Sequence, residues 1–289
     1  MTGAPRAAPG GATGRADVPR RVTARATWLL APNAGPMTFD GTNSWVLREP
    51  GRRGAGDRRA LAGRLRVIEP PAAGTRAPAG RVRLDCHLHT VASGDSVLTV
   101  EQLAERARHA GLDAVCVTDH NLTAAAVAAA ARADLGVRII VGEEVRTPSG
   151  DVIGLFLTER IPYVLPLAEV VARIRDQGGL VYVPHPFDPV RSSIGRVLPA
   201  LCAEGGVDVI EVFNAKIEDQ ALNEKAAAVA AEFGLPAAVG SDAHDADGVG
   251  AAYLDLPDFD GPASFLAALP RARLAGEHRP HAPRYPRPR

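Results

Sequence analysis

Cysteine is rare in this sequence, which contains only Cys86, Cys116 and Cys202. Three is an odd number and no Cys-x-x-Cys pair is present, so the composition excludes both a disulfide framework and a zinc knuckle. We expect Cys86 and Cys116 to pack as small apolar residues in strands.

The sequence also lacks a long hydrophobic run. Its longest apolar stretch, residues 124–131, is mostly alanine and is too short to cross a bilayer. The basic residues near the N-terminus are followed by no continuous apolar segment of the kind that a secretory signal contains. We therefore expect no membrane association and a cytoplasmic location.

The chain has no net charge, but its charges are segregated along the sequence. Residues 1–81 carry 14 arginines and 5 acidic residues, and residues 271–289 carry 6 arginines and 1 acidic residue. The remaining segment, 82–270, has 13 basic and 27 acidic residues, a balance of −14. Such a body repels a phosphate backbone unless it binds cations, so nucleic acid is a possible partner through the termini but is not indicated.

Composition divides the chain into five segments. Residues 1–27 are poor in large aliphatic side chains and are expected to form a disordered basic tail. Residues 28–51 form a short β-rich fragment, 52–80 a linker, 81–270 the main domain, and 271–289 a basic tail rich in Pro and Arg. The 28–51 fragment resembles the N-terminal strands of metallo-beta-lactamase-fold hydrolases. Because their His-x-His-x-Asp-His pattern is absent here, we interpret it as a remnant or fused fragment without that activity.

After residue 81, strand-like and helix-like patterns alternate. The seven short apolar runs are 82–86, 114–118, 138–142, 152–157, 180–184, 208–213 and 236–240. Helical patterns begin at a capping box of Thr99 and Gln102, near Pro166 and at Asp219. Repeated strand-helix units predict an α/β fold with a parallel sheet, and seven such strands are most easily closed into a barrel. Catalytic residues in such barrels collect at the C-terminal ends of the strands.

Ionisable residues stand at five of these strand ends. They are His87 and His89, Asp119-His120, Glu143-Glu144, His185, and Asp242 with His244. The two residues of a His-x-His pair point to the same face of a strand. One such histidine alone is more often a hydrogen-bonded core residue than a ligand. Together, however, these groups would be costly to bury without cations, and mixed histidine and carboxylate sets suit zinc, manganese or iron.

Four motifs make the chain similar to the PHP (polymerase and histidinol phosphatase) phosphoesterases over residues 82 to about 256. They occur in order as DCHLHT, TDHN, HP within VPHPF, and GSDAH. The resemblance implies a distorted (β/α)7 barrel with a disordered or partly ordered N-terminal extension, a cluster of two or three divalent metal ions, and hydrolysis of phosphoesters.

The resemblance also implies a set of metal ligands. It assigns His87, His89, Glu144 and Asp242 to one ion, Glu144 and His185 to a second, and His120 and His244 to a third. Two positions depart from the family pattern. Asp151 stands where many members have a histidine and could replace it as a ligand. Asp95 lies one residue later than the usual aspartate, so it either reaches the metal cluster or only caps the following turn.

The mechanism expected for such a site is attack by a hydroxide that bridges metal ions. The candidate catalytic residues are Asp119, His120 and Asp242, with either Asp119 or a metal-bound water protonating the leaving oxygen. The candidate substrate-binding residues are Arg191, Lys216 and Asn214. Asp85 shares a strand face with His87 and is expected to accept a hydrogen bond from its ring.

The sequence therefore predicts a metal-dependent phosphoesterase that acts on a phosphorylated small molecule, either a phosphomonoester or a small phosphodiester. Several alternatives stay open. One alternative is not an enzyme but a catalytically silent metal-binding module. Within enzymes, the alternatives are a histidinol-phosphate phosphatase, a nucleotide or oligonucleotide phosphoesterase, and a hydrolase of a carbon-nitrogen bond.

Overall fold

The computed structural model describes residues 74–279 together with three short strands nearer the N-terminus. The three strands are β1 (Arg20–Arg21), β2 (Ala26–Leu30) and β3 (Asn43–Leu47), which pair antiparallel in that order. They belong to a unit separate from the one that begins at Arg58. β1 and the start of β2 fall within residues 1–27, the segment expected to be disordered. The rest of segment 1–27, and most of the predicted fragment and linker, lie outside the described residues.

A nine-stranded sheet forms the centre of the second unit. Its strands are β4 (Arg81–Leu88), β5 (Ala114–Val117), β6 (Arg138–Thr147), β7 (Gly150–Leu155), β8 (Leu180–Val183), β9 (Val209–Asn214), β10 (Ala237–Gly240), β11 (Ala252–Pro257) and β12 (Arg273–Gly276). They lie in the order β10-β9-β8-β7-β6-β5-β4-β11-β12. Strands β4 to β10 correspond to the seven predicted runs.

The sheet is mixed rather than wholly parallel, which differs from the sequence expectation. β4, β5 and β6 are parallel neighbours, as are β8, β9 and β10, but β7 runs antiparallel to β6 and to β8. Only Pro148 and Ser149 separate β6 from β7. A connection this short can form a hairpin but not a parallel crossover. β12 continues the sheet beyond residue 270, where the sequence placed the start of a tail.

The two ends of the parallel series approach each other and nearly close the sheet into a barrel. The N–H of Asp242, just after β10, donates to the His87 carbonyl of β4 at 2.7 Å, and the His89 N–H donates to the Ala243 carbonyl at 2.9 Å. An isolated parallel bridge joins Leu88 and Ala243. The predicted distorted α/β barrel is thus confirmed, and its closure joins the first and last metal-binding motifs.

Six α-helices surround the sheet in the part of the chain that the structure describes. They are α1 (Val100–His109), α2 (Ala124–Ala130), α3 (Leu167–Asp176), α4 (Leu198–Ala203), α5 (Gln220–Phe233) and α6 (Pro262–Ala268). The predicted capping box of Thr99 and Gln102 is present at the start of α1. No helix in the described part of the chain is both long enough and apolar enough to cross a membrane.

Side chains of β4 alternate between the hydrophobic core and the interior of the barrel. Leu84 and Cys86 are buried in the main core with Cys116, and the cysteines are free thiols. Their role as small apolar core residues is therefore as predicted. Asp85 and His87 occupy the opposite face. The apolar face anchors the strand, and the polar face is directed to the interior of the barrel.

Gly240 allows β10 to approach β4. A Cβ atom at this position would overlap the His87 side chain and the Glu211 carboxylate. We expect Gly240→Ala to lower the free energy of unfolding by about 2 kcal/mol, as other overpacked core substitutions do. Urea denaturation measures the change. Gly261→Ala is the matched control, because Gly261 has an extended backbone (φ −174°) and no atom within 4 Å of the added methyl. Equal stability of the two variants would contradict this account of the closure.

Candidate metal centre

His87 and His89 bring their Nε2 atoms together at 3.0 Å. Both residues are fully buried. Their shared direction follows from the His-x-His spacing on β4, which the sequence predicted. Two ring nitrogens this close, facing the same carboxylates, form a donor set that suits a cation.

Glu211 determines which nitrogen of His87 faces the site. Its Oε1 lies 3.0 Å from His87 Nδ1. An ionised carboxylate only accepts hydrogen bonds, so His87 donates from Nδ1 and its Nε2 lone pair is directed to the cluster. Glu211 is buried and also accepts from the Tyr182 hydroxyl, the His185 N–H and Asn214 Nδ2. One carboxylate therefore connects three strands beneath the site.

Asp85 has a different role from the one expected. Its Oδ1 accepts from the backbone N–H groups of Ser241 and His87 at 3.0 and 3.3 Å, whereas the His87 ring bonds to Glu211. Burial raises the pKa of Asp85 to about 7. Asp85 thus holds the backbone of the closure between β4 and β10, and Glu211 orients the ring.

Asp119 and Ser93 orient His89 by a similar relay. The Ser93 hydroxyl donates to Asp119 Oδ1 at 2.7 Å and lies 3.0 Å from His89 Nδ1. Because Ser93 uses its proton on Asp119, His89 Nδ1 is the donor to Ser93 and His89 Nε2 faces the cluster. Asp119 also accepts from the N–H and hydroxyl of Thr90. Asp119 is therefore committed to the Thr90–Ser93 loop and is not among the residues that line the cavity next to the cluster.

Glu144 occupies the centre of the cluster. Its Oε2 lies 3.2 Å from His89 Nε2, 3.2 Å from His120 Nδ1 and 3.4 Å from His87 Nε2, and its Oε1 lies 3.0 Å from His185 Nε2. The neighbouring Glu143 points to the other side of β6, where its Oε2 accepts from the Ile161 N–H. Glu143 and Glu144 therefore point to opposite faces of β6, and Glu144 is the one that faces the cluster.

Asp95 lies with His120 and His244. Its Oδ2 is 3.4 Å from His120 Nε2 and 3.3 Å from His244 Nε2. The loop after β4 therefore brings Asp95 to the cluster despite its one-residue offset. Gly94 precedes it with φ 79°, a left-handed conformation that favours glycine.

Three groups of side chains could each hold an ion. The groups are His87, His89 and Glu144; His87, His185 and Asp242; and His89, His120 and His244. The ligand atoms within each group lie within 4.8 Å of one another. His185 and Asp242 have positive φ angles of 27° and 53°, which are uncommon for residues with a side chain and concentrate at functional sites.

Asp151 is close to this cluster but is paired with an arginine. Its two oxygens lie 3.2 and 3.4 Å from Nε and Nη2 of Arg146, and it belongs to none of the three groups. Burial and Glu144 raise the pKa of Asp151. The structure therefore places Asp151 in the cavity wall beside Glu144, bound to a cation of the chain itself.

The predicted substrate-binding residues separate into two layers. Arg191 Nε and Lys216 Nζ lie 3.0 and 3.3 Å from the two oxygens of Asp242, and both side chains line the cavity. Asn214 is buried beneath them, where its amide nitrogen lies 3.0 Å from Glu211 Oε2 and 3.4 Å from Asp242 Oδ2. Asn214 is thus placed to hold Asp242 rather than to contact a substrate.

Charge in the cluster favours a bound cation. Burial alone raises the pKa of Asp242, but Lys216 and other cationic neighbours outweigh it and hold this pKa well below its usual range. Burial lowers the pKa of His120, whereas Glu144 and then Asp95 reverse this effect and raise it to about 9. The carboxylates therefore stabilise positive charge within the cluster. The donor set fits divalent ions such as zinc, manganese or iron.

A cavity of about 870 Å³ opens onto these groups. This volume is within the range of small-molecule sites. Its walls include side chains of all three ion-binding groups together with Arg146, Arg191 and Lys216.

Glu211 and Ser93 were missed by the sequence reasoning. A carboxylate in the apolar run VIEVF was a signal for Glu211, because a buried strand seldom contains an unpaired acid. Ser93 carried no comparable signal, since serine is ordinary in a loop. The role of each depends on contacts with distant strands.

Comparison with known proteins identifies the family. Residues 85–183 match the family model described as PHP domain, and residues 220–274 match the one described as PHP-associated. Uncharacterized protein MJ1587 of Methanocaldococcus jannaschii is 34% identical over 153 residues, which cover 49% of this chain and 87% of that protein. Uncharacterized protein MJ0417 of the same organism is 38% identical over 201 residues, covering 65% of this chain and 79% of that protein. The chain belongs to the PHP family.

A solved structure supports the fold of this PHP protein. It is a two-domain protein from Bacteroides vulgatus that contains a predicted PHP-like metal-dependent phosphoesterase, with a TM-score of 0.57 and 19% identity. The match covers 73% of this chain and 70% of that chain. Identity at this level supports the fold alone. PHP proteins form a family of metal-dependent hydrolases, and the histidine and carboxylate cluster is the candidate metal centre of this member.

Glu211→Ala removes the acceptor that orients the ring of His87. We expect affinity for the divalent metal to fall by about tenfold or more, as it does when comparable outer hydrogen bonds are lost. Competition with a chelator of known affinity measures the loss. Glu211→Gln retains an acceptor oxygen and should lose less. Tyr182→Phe is the control, because it removes another donor to the same oxygen. The role is refuted if a folded Glu211→Ala protein binds metal as tightly as wild type.

Proposed function

We propose that this protein is a metal-dependent phosphoesterase that hydrolyses a phosphomonoester or a small phosphodiester. The observation that carries the proposal is a cluster of five histidines and three carboxylates at the base of a cavity, with Arg191 and Lys216 beside it. Metal ions and fixed cations together suit the transfer of a charged phosphoryl group.

The proposal assigns the ligands to three positions. His87, His89, Glu144 and Asp242 hold the first ion; Glu144 and His185 hold the second; Asp95, His120 and His244 hold the third. Each position combines side chains within a few ångströms of one another. Asp151 is not included, because it is paired with Arg146 and, unlike Asp242, belongs to none of the three groups of clustered ligand atoms.

Divalent ions at these positions would acidify a water molecule and neutralise charge on the phosphoryl oxygens. The chain itself orients the participants. Glu211 and Ser93 hold the first two histidines in the tautomers that the centre needs. Arg191 and Lys216 sit on opposite oxygens of Asp242, from which their free N–H groups can reach a substrate phosphate.

The proton for the leaving oxygen is not assigned to Asp119, which was one of the two candidates. Both of its oxygens accept hydrogen bonds from Thr90 or Ser93. In the proposed mechanism Asp119 holds the loop that orients His89. A water molecule at the centre is the remaining candidate donor.

Purified protein is expected to contain at least two equivalents of zinc, manganese or iron per chain and to hydrolyse 4-nitrophenyl phosphate. Elemental analysis and absorbance at the nitrophenolate band measure the two properties. His244→Ala should abolish nearly all turnover, because it removes a proposed ligand that lies outside the hydrophobic core.

Less than one equivalent of metal, with no increase after adding manganese, would contradict the metal centre. Bound metal without turnover on a wide panel of phosphate esters would instead favour a catalytically silent module. The two measurements therefore separate the proposed enzyme from its main rival.

Asp95→Ala is expected to reduce bound metal by about one ion per chain, because its carboxylate contacts the two histidines of the third position. Asp247→Ala is the control. The Asp247 side chain is 93% exposed and pairs with Arg106, away from the cluster. If the Asp95→Ala protein binds as much metal as wild type, Asp95 is not a ligand and only caps the turn.

A further inference from the structure

We infer that the site selects phosphomonoesters whose leaving group is apolar and carries no second phosphate. This inference rests on the proposed phosphoesterase function, because it takes the phosphoryl group to lie between the metal cluster and the cations on Asp242. The inference is supported by the residues that line the mouth of the cavity beyond those cations.

Each cation that faces the phosphoryl position is followed or preceded in the chain by an apolar residue of the cavity wall. Val190 precedes Arg191, and Ile217 follows Lys216. A phosphate bound to the two cations would therefore have apolar residues of the cavity wall beside its ester group.

Exposed valines flank this path. Val190 is 74% exposed and Val97 is 51% exposed, and both line the cavity. Both backbones are held in place, since the Val190 N–H donates to Asp188 Oδ1 at 2.8 Å and the Val97 N–H donates to the His244 carbonyl at 2.9 Å. The valines are thus fixed at the mouth of the cavity and available for contact.

Acidic residues complete the mouth. Glu218, Asp219 and Asp245 line the cavity outside the metal cluster. Asp219 caps α5 with its side chain, and Asp245 accepts from two backbone N–H groups of its own turn. A leaving group with its own phosphate would meet these carboxylates at short range, so like-charge repulsion disfavours it.

Arg146 also lines the cavity but does not offset this repulsion. It is engaged by Asp151 through both Nε and Nη2. The mouth therefore favours an uncharged apolar group over an anionic one.

The test compares two esters of primary alcohols, hexyl phosphate and glycerol 3-phosphate, on the manganese-loaded full chain. We expect kcat/KM to be about tenfold higher for hexyl phosphate, since several methylene groups leave water in the complex. A sugar bisphosphate should be the poorest substrate. Binding of the matching hexyl and dihydroxypropyl phosphonates, measured by calorimetry, gives the same comparison without turnover.

Variants locate the preference. Val190→Ser and Val97→Ser should each reduce the ratio of hexyl to glycerol kcat/KM by about threefold, because each replaces apolar contact with a hydroxyl. Val127→Ser is the matched control. Val127 is 43% exposed on α2 and is not part of the cavity wall, so the ratio should not change.

Equal preference for the two esters, or a ratio that both valine variants leave unchanged, overturns the inference. If no ester is hydrolysed, the proposed function fails and the phosphonates still decide the inference. Selective binding of hexylphosphonate then supports an apolar anion site, and equal binding of the two phosphonates refutes it.

Discussion

Glu144 is the group on which the site depends, because one buried carboxylate contacts four imidazoles from three segments of the chain. Burial alone raises its pKa, but the histidines, first His120, outweigh burial and hold the pKa well below its usual range. An ionised carboxylate in this position requires positive charge around it. Protons or divalent ions can supply that charge, and the arrangement of ring nitrogens favours ions.

The surrounding fold keeps these groups in place. Closure of the barrel brings β4 against the residues after β10, so the two histidines of the first motif meet Asp242 of the last. Hydrogen bonds behind the rings, to Glu211 and to Ser93, then determine which nitrogen faces the centre. Metal affinity in such sites depends on these outer contacts nearly as much as on the ligands.

The base and the mouth of the cavity above the cluster differ in composition. Its base carries the ligands and the cations on Asp242, whereas its mouth carries Val97, Val190 and carboxylates. In the proposed function, this arrangement would separate the chemistry of the phosphoryl group from recognition of the leaving group. Loops after β8 and β9 supply most of the mouth, in agreement with the general placement of specificity on loops over a rigid sheet.

The sequence by itself determined the fold class, the shared direction of His87 and His89, and the strand ends at which most of the cluster stands. These follow from local periodicity and spacing, which a single strand or helix already expresses. Tertiary structure alone decided the approach of Asp95 to the cluster and the role of Glu211. Each of these depends on which distant segments meet when the barrel closes, and no local pattern contains that information.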